Sequence, residues 1–252
     1  MNILEKEYYK QYEKEINIDL AVCFNDLKKD SSKINFKYLT EASAVYSSNI
    51  EGNSMDLNSF MNAKTMKQKA KPKEYSEITE LVDAYDFAQS NKLTEENLLK
   101  AHQILSKSFL IKSQRGKYRD DKVGVFDQNG LVYLAIEPEK VAEEMKIFFV
   151  TINKLLKQDL DINEVFYFAS MLHLRFAHIH PFQDGNGRAA RILEKWFLAS
   201  KLGNKAWLIQ SEKYYKENIK EYYQNINLGV NFYELDYERC LPFLLMLPLT
   251  FR

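Results

Sequence analysis

The sequence predicts a mainly helical fold with one small β-hairpin. The 252-residue chain contains only eight glycines and five prolines, so few residues interrupt its long segments. Within those segments apolar residues recur at three- and four-residue spacing, which is typical of amphipathic helices. One segment alternates apolar and polar residues around an Asn-Gly pair, and that pattern indicates a hairpin. The expected fold class is therefore all-α with a single hairpin.

The predicted helices are distributed along the whole chain. Two of their starts carry a local signal, because Thr94 and Asp161 are capping residues followed by carboxylates in the first helical turn. The periodicity predicts helices at about residues 4–28, 35–49, 57–63, 75–90, 94–109, 137–156, 162–177, 187–200 and 211–225, with a last helix after Tyr233.

The hairpin is predicted between residues 122 and 136, around the turn sequence Asp127-Gln128-Asn129-Gly130. An isolated hairpin is only marginally stable in water, so it must lie against the helical body. In that position its edge can pair with an extended peptide. The alternating apolar residues are Val123, Val125, Leu131, Tyr133 and Ala135.

Composition and charge favour one globular core and locally recognised partners. Hydrophobic residues make up 46% and charged residues 28% of the chain, which is ordinary globular usage. Basic and acidic residues number 35 each, so no basic field attracts nucleic acid or an anionic membrane. No apolar run reaches the roughly 20 residues that span a bilayer, and no secretory signal is visible. We expect a cytoplasmic protein that binds neither membranes nor nucleic acid directly.

The segment that carries chemistry is His180-Pro181-Phe182-Gln183-Asp184-Gly185-Asn186-Gly187-Arg188-Ala189-Ala190-Arg191. Proline and the two glycines end the preceding helix and permit a tight loop. The next helix then opens at Asn186 or Gly187 and presents free N–H groups and a positive dipole end to the loop. These features predict an anion site, for which phosphate is the natural ligand.

Four side chains of this segment suit a polyphosphate site. Arg188 and Arg191 are three residues apart and share a helix face, where two guanidinium groups can hold phosphate oxygens. Asp184 would repel phosphate unless a cation lies between them, and Mg²⁺ commonly binds one carboxylate together with substrate phosphates. The imidazole of His180 suits a general base near neutral pH. The other histidines, His102, His173 and His178, lie on apolar helices without ligand spacing and are expected to be packing or hydrogen-bonded residues.

These twelve residues resemble the signature of the Fic (filamentation induced by cAMP) family, HxFx(D/E)GNGRxxR, at every specified position. The resemblance implies a nucleotidyltransferase that moves AMP from Mg-ATP to a Ser, Thr or Tyr hydroxyl of a target protein. It implies that His180 is the catalytic base, that Asp184 holds Mg²⁺ and that Phe182 anchors the loop. The implied phosphate cradle consists of Gly185, Asn186 and Gly187, with Arg188 at the β-phosphate and Arg191 at the γ-phosphate.

A second motif, Ser47-Ser48-Asn49-Ile50-Glu51-Gly52, resembles the family's inhibitory pattern (S/T)xxxE(G/N). Ser47 and Glu51 are four residues apart and share one helix face. A carboxylate presented to the arginine pair would satisfy one guanidinium and put negative charge where the γ-phosphate must lie. The resemblance implies that Arg191 is its partner, and that the chain belongs to the class with an N-terminal inhibitory helix.

The resemblance extends to the rest of the site. The hairpin at residues 122–136 is similar to the family's flap, on which the protein substrate docks. Doc-like relatives carry lysine where this chain has Gly187, and phosphocholine-transferring relatives carry alanine in place of Gly185, so AMP transfer is favoured. The residues that resemble the flap's nucleotide-side strand and the tyrosine pair around the adenine are Val123, Gly124, Val125, Phe126, Tyr222 and Tyr223.

The resemblance implies three regions: an N-terminal helical region at residues 1–95 with the inhibitory motif at 47–52, a Fic core domain at 96–228 and a C-terminal helical extension at 229–252. Two other functions stay open. With Glu51 positioning a water molecule, the same site could remove AMP from a modified protein. Alternatively, the fold could be a nucleotide-binding interaction module without catalysis. The target, the signal that releases the helix and a homodimeric state are also open.

Overall fold

The computed structural model describes residues 6–30, 36–65, 72–128 and 130–251, and these residues form twelve α-helices and one antiparallel β-hairpin. The predicted fold class is confirmed. In chain order the elements are α1 Tyr9–Glu15, α2 Leu20–Asp30, α3 Phe36–Ile50, α4 Leu57–Thr65, α5 Lys73–Ser90, α6 Glu95–Leu105, β1 Gly124–Asp127, β2 Gly130–Leu134, α7 Pro138–Lys157, α8 Ile162–Ile179, α9 Asn186–Leu202, α10 Ser211–Glu217, α11 Ile219–Ile226 and α12 Leu241–Met246.

Two helices that were predicted as continuous are each divided into two in the structure. The helix predicted at residues 4–28 is divided into α1 and α2, and its residues 4 and 5 lie outside the described ranges. The backbone becomes extended at Ile16, and the side chain of Asp19 accepts a hydrogen bond from the Val22 amide at 3.0 Å. Because Asp19 caps a new helix, the chain restarts there.

The helix predicted at residues 211–225 is likewise divided, into α10 and α11. The break lies at Asn218, whose side-chain amide donates to the Tyr214 carbonyl at 2.9 Å and whose backbone leaves helical geometry. Asparagine competes in this way for backbone partners. The helix predicted after Tyr233 is α12, which has only six residues between short 3₁₀ turns at Tyr237–Arg239 and Pro248–Phe251.

The hairpin forms where the sequence predicts it, around the predicted turn sequence. Asp127 pairs with Gly130 where the two strands meet, and Asn129 between them lies outside the described residues. A bulge follows between Val125 and Phe126. The outer edge of β2 is bridged at its last residue, because the Leu134 amide donates to the Val230 carbonyl at 2.9 Å.

Helix α8 lies at the centre of the molecule, packed against α7, α9 and α12. Thirteen of its residues are buried, as are twelve of α9. One hydrophobic core runs from Tyr12 to Leu247 and draws on all three predicted regions, whose boundaries stay a prediction. In the described ranges no helix combines the length and apolar character needed to cross a membrane.

Candidate active site

The loop between α8 and α9 has the conformation that its residues predict. Helix α8 ends at Ile179. The next residue, His180, adopts left-handed geometry with φ 51° while its amide still donates to the Phe176 carbonyl at 3.0 Å. Gly185 precedes α9 with φ 82°, which glycine adopts without a Cβ penalty. Helix α9 then begins at Asn186, so its first N–H groups lie beside the loop.

A pair of hydrogen bonds closes the loop on itself. The side chain of Asn186 accepts from the Phe182 amide and donates to the Phe182 carbonyl, both at 2.8 Å. Phe182 is fully buried and stacks on His102, with ring centroids 3.6 Å apart and planes 6° apart. Phe182 therefore lies where a loop anchor would. The Asn186 side chain holds the loop in this structure, and its predicted contact with phosphate stays a prediction.

His102 supports the loop in a way that the sequence did not reveal. Its Nε2 donates to the Asp184 carbonyl at 2.9 Å, and its Nδ1 accepts from the Gly116 amide at 3.0 Å. Burial lowers the pKa of His102 to about 4, so the ring stays neutral and keeps both bonds at neutral pH. The expectation of a hydrogen-bonded histidine is confirmed.

Arg119 is a second residue that supports the loop. Its side chain is buried and donates hydrogen bonds to backbone carbonyls. Its Nε donates to the His180 carbonyl at 2.7 Å, its Nη1 to Asp121 at 2.9 Å and its Nη2 to Ile136 at 2.5 Å. Its own amide donates to the Pro181 carbonyl at 2.9 Å. Arg119 thus fastens the base of the hairpin to the start of the loop.

His180 has the geometry of a proton acceptor. Its Nδ1 donates to the Ala177 carbonyl at 3.2 Å, which assigns the ring proton to Nδ1 and leaves Nε2 basic. Burial lowers the pKa of His180, and the nearby charge of Arg119 lowers it further, against the opposing hydrogen bond to Ala177. The neutral, basic form therefore predominates at neutral pH.

Arg188 and Asp184 lie at the mouth of the loop and suit a phosphate with its metal. Arg188 is 6% exposed and lies 3.8 Å above the ring of Phe109, and its Nε has no hydrogen-bond partner within the described part of the chain. A buried, unpaired guanidinium N–H is costly unless an anion accepts from it. The Asp184 side chain is 57% exposed and 3.6 Å from Arg188.

The acceptors in this region fit magnesium only together with phosphate. Among the residues that the structure describes, no group of three or more His, Cys, Asp or Glu side chains could hold a metal. A single exposed carboxylate such as Asp184 matches the way Mg²⁺ binds between protein and substrate phosphates.

Glu51 occupies the other side of the loop and is paired with Arg191. Glu51 Oε1 accepts from Arg191 Nη2 at 2.6 Å. The hydroxyl and carbonyl of Ser47 accept from Arg191 Nε and Nη2 at 2.8 and 3.0 Å. Burial disfavours the charged form of Glu51, but Arg191 and Arg188 outweigh it and lower the pKa of this carboxyl. The two predicted inhibitory residues thus meet one arginine of the loop.

The remaining predicted site residues lie around this centre. Tyr222 is buried, with its hydroxyl 3.1 Å from Arg191 Nη1, and Tyr223 is exposed and donates to the Ile50 carbonyl at 2.9 Å. On the hairpin, Phe126 is 69% exposed and Val125 lies on the same strand. The predicted contacts of Tyr222, Tyr223 and residues 123–126 with nucleotide stay predictions.

Comparison with known proteins agrees with this geometry. Residues 92–198 match the Fic/DOC family, and this range includes the whole loop with His180, Asp184 and both arginines. The chain therefore contains a Fic/DOC family domain. It is 30% identical over 160 residues to the protein adenylyltransferase Fic of Nematostella vectensis, an alignment that covers 59% of this chain and 35% of that protein. The chain thus matches about a third of the relative's length.

Two solved structures share the fold over nearly the whole chain. A Fic family protein from Desulfovibrio desulfuricans has a TM-score of 0.73 at 18% identity and covers 99% of this chain and 70% of its own. A Fic domain containing signaling protein from Bacteroides thetaiotaomicron has a TM-score of 0.68 at 22% identity and covers 100% and 92% respectively. The likeness includes the helices that precede the family domain, among them α3.

Proposed function

We propose that this protein is an autoinhibited adenylyltransferase that moves AMP from Mg-ATP to a Ser, Thr or Tyr hydroxyl of a target protein. The observation that carries the proposal is the segment at residues 180–191, which comprises the loop and the first turns of α9. A basic imidazole nitrogen, a helix N-terminus, two arginines and an exposed carboxylate converge there. The name of the Nematostella vectensis relative supports the same activity.

In this proposal each residue of the loop has one task. The unpaired Arg188 Nε and the start of α9 bind phosphate oxygens. Asp184 would hold Mg²⁺, which when bound neutralises charge on the phosphates. The Nε2 of His180 takes the proton of the acceptor hydroxyl, whose oxygen bonds to the α-phosphorus. At the same time the bond between the α-phosphorus and the oxygen that bridges to the β-phosphate breaks. Pyrophosphate is the leaving group.

The regulatory part of the proposal is that Glu51 competes with the γ-phosphate for Arg191. Helix α3 is held on α9 by matched pairs, since Lys195 Nζ donates to the Ser43 hydroxyl at 2.6 Å one turn away from the contact of Arg191 with Ser47. The end of α3 is also tied, because Lys216 donates to the Asn49 carbonyl at 2.9 Å. The inhibited state is therefore the resting one.

For the protein substrate we propose docking along β1. The outer edge of β2 is bridged by residue 230 at Leu134, whereas β1 carries Phe126, which is 69% exposed. An extended segment that adds to β1 would gain backbone hydrogen bonds and apolar contacts. Arg119 and Tyr133 tie this hairpin to the end of α8, since the Tyr133 hydroxyl donates to the His178 carbonyl at 2.6 Å. A docked hydroxyl would then lie near His180.

The proposal is tested with the Glu51→Gly protein, because Glu51 is proposed to inhibit transfer. This variant is incubated with a mixture of candidate targets and with ATP labelled at either the α- or the γ-phosphate. We expect protein-bound label from the α-position only, and an adduct of AMP mass on a hydroxyl residue by mass spectrometry. Protein-bound label from the γ-position would assign phosphoryl transfer instead. No protein-bound label from either position, with ATP still bound, would favour the interaction module.

Gly187→Ala is expected to lower AMP transfer in the Glu51→Gly protein at least roughly tenfold. A Cβ at this position would lie 2.2 Å from the place of Glu51 Oε1 and 3.1 Å from Arg191 Nη1. Because the proposal places the γ-phosphate where Glu51 lies, the added methyl group meets the nucleotide there. The measurement is the initial rate with α-labelled ATP.

The matched comparison is the same substitution with Glu51 present. There the methyl group meets the carboxylate as well, so transfer should not rise above that of the unchanged protein. A rise with Glu51 present, together with no loss in Glu51→Gly, would show that the γ-phosphate does not lie in the place of Glu51.

A further inference from the structure

Behind Arg191 lies a buried chain of hydrogen bonds that the loop motif does not include. The hydroxyl of Tyr222 lies 3.1 Å from Arg191 Nη1 and 3.0 Å from His173 Nε2. His173 Nδ1 lies 2.7 Å from Glu194 Oε2. All four side chains are at most 2% exposed, so water does not compete for these bonds.

The donors and acceptors of these hydrogen bonds can be assigned one after another from Arg191 to Glu194. A guanidinium can only donate, so the Tyr222 oxygen accepts from Arg191 and its own proton goes to His173 Nε2. Because Nε2 accepts, the ring proton of His173 is on Nδ1 and is donated to Glu194, a carboxylate that only accepts. Tyr215 also donates to Glu194, at 3.0 and 3.1 Å to its two oxygens. Every donor in the chain then meets an acceptor.

These hydrogen bonds differ from the other contacts of Arg191 in the helices that supply their residues. The contacts with Ser47 and Glu51 come from α3 and the residue after it, and they are lost if this segment withdraws. Tyr222 and His173 lie on α11 and α8, and both side chains are buried in the core. Helix α11 also touches the end of α3, because the Tyr223 hydroxyl donates to the Ile50 carbonyl. In the low dielectric of the interior, such a linked series of bonds keeps a charged group oriented.

We propose that Tyr222 and His173 are positioning residues that hold the Arg191 guanidinium in the phosphate site once Glu51 has left it. This inference rests on the proposed function for the identity of the ligand, though not for the geometry of the arginine. The same guanidinium would then have two alternative partners on its open side, the Glu51 carboxylate or a phosphate, and one permanent partner behind it.

The test uses Tyr222→Phe in the Glu51→Gly protein, because phenylalanine keeps the ring and removes only the hydroxyl. His173→Phe is less suitable, since it leaves the Glu194 charge buried with fewer partners and can prevent folding. The matched control is Tyr237→Phe, which removes a hydroxyl 2.8 Å from another buried histidine, His178, that has no contact with Arg191.

The first readout is independent of nucleotide. The chain has four histidines, so ¹⁵N spectra can assign each ring, and we expect His173 to carry its proton on Nδ1. We also expect the Arg191 Nη1 protons, which are donated to the Tyr222 hydroxyl, to exchange slowly in Glu51→Gly and in the Tyr237→Phe control, and rapidly after Tyr222→Phe. The Nε and Nη2 protons should change less, because they keep their bonds to Ser47. A proton on Nε2 of His173, or Nη1 protons that exchange equally slowly after Tyr222→Phe, would overturn the inference.

The second readout compares binding of ATP and AMP by calorimetry. Tyr222→Phe should weaken ATP binding roughly tenfold, as expected for one bond to a charged group, and leave AMP binding unchanged. An equal loss of affinity for ATP and AMP would indicate that Tyr222 contacts the adenine ring instead, and would refute the positioning role. If no variant binds ATP although the spectra agree with expectation, the proposed function fails and the positioning of Arg191 stands.

Discussion

Glu51→Gly is expected to increase AMP transfer to protein by roughly 10- to 150-fold. Glu51 Oε1 lies 2.6 Å from Arg191 Nη2, and a hydrogen bond to a charged group contributes about 1.5–3 kcal/mol. If that free energy opposes the γ-phosphate, its removal favours bound ATP by the stated factor. The measurement is the initial rate of protein labelling from ATP labelled at the α-phosphate.

Local structure makes Glu51→Gly a clean substitution. Helix α3 ends at Ile50, so a glycine at position 51 does not interrupt a helix, and the following Gly52 already has φ 93°. Arg191 keeps its bonds to Ser47 and Tyr222. We therefore expect the fold to be retained and the melting temperature to fall by roughly 3–12 °C, the shift that corresponds to a loss of about 1.5–3 kcal/mol, which calorimetry can check.

Glu51→Gln is the matched control, because it keeps the length of the side chain and removes only its charge. Its increase should be smaller than that of Glu51→Gly. Unchanged labelling in both variants would contradict the brake. A loss of phosphodiesterase activity toward AMP-modified protein, with no gain in transfer, would instead assign Glu51 to the removal of AMP.

The loop could be predicted from the sequence because its determinants are local. Pro181 and Gly185 constrain the backbone within a few residues, and the start of α9 at Asn186 follows directly from them. The pairing of Glu51 with Arg191 spans 140 residues, and it was expected only through the resemblance of the two motifs to one family.

The supports of the loop could not be predicted in the same way. His102 bonds the carbonyl of Asp184, 82 residues away, and Arg119 bonds that of His180, 61 residues away. Backbone carbonyls leave no mark in a sequence, so nothing in the pattern indicates which buried polar side chain will meet them. The contacts of Tyr222 join side chains instead, to Arg191 31 residues away and to His173 49 residues away, and no spacing in the sequence indicates them.

The divided helices have a different cause. Hydrophobic periodicity is averaged over a window of several residues, whereas a helix restarts at one capping residue. Asp19 is such a residue, whereas Asn218 ends α10 with a side-chain bond back to Tyr214. Each lies inside a stretch whose apolar spacing continues on both sides. If Asp19 is taken as a capping residue, the sequence predicts a helix that starts at Leu20, and α1 and α2 are then separate.

His180→Asn in the Glu51→Gly protein is expected to lower AMP transfer by about 10²–10⁴-fold, the usual contribution of a general base. Asparagine is the preferred replacement because position 180 has φ 51°, a left-handed geometry that asparagine tolerates better than alanine. The loop should therefore keep its shape, and the affinity for ATP, measured by calorimetry, should change less than about twofold. A loss of ATP binding in parallel with transfer would show that His180 shapes the site rather than accepting the proton.

The pH dependence gives an independent check on the same residue. Burial lowers the pKa of His180 from its usual 6.5, so the basic form is retained as the pH falls to that value and is lost only below it. In Glu51→Gly the kcat/KM for ATP should be level near neutral pH and should fall with acid only below pH 6.5. The residual activity of His180→Asn should lack this fall. A midpoint above 6.5 would contradict the buried, Ala177-bonded imidazole as the base, because its surroundings favour the neutral ring.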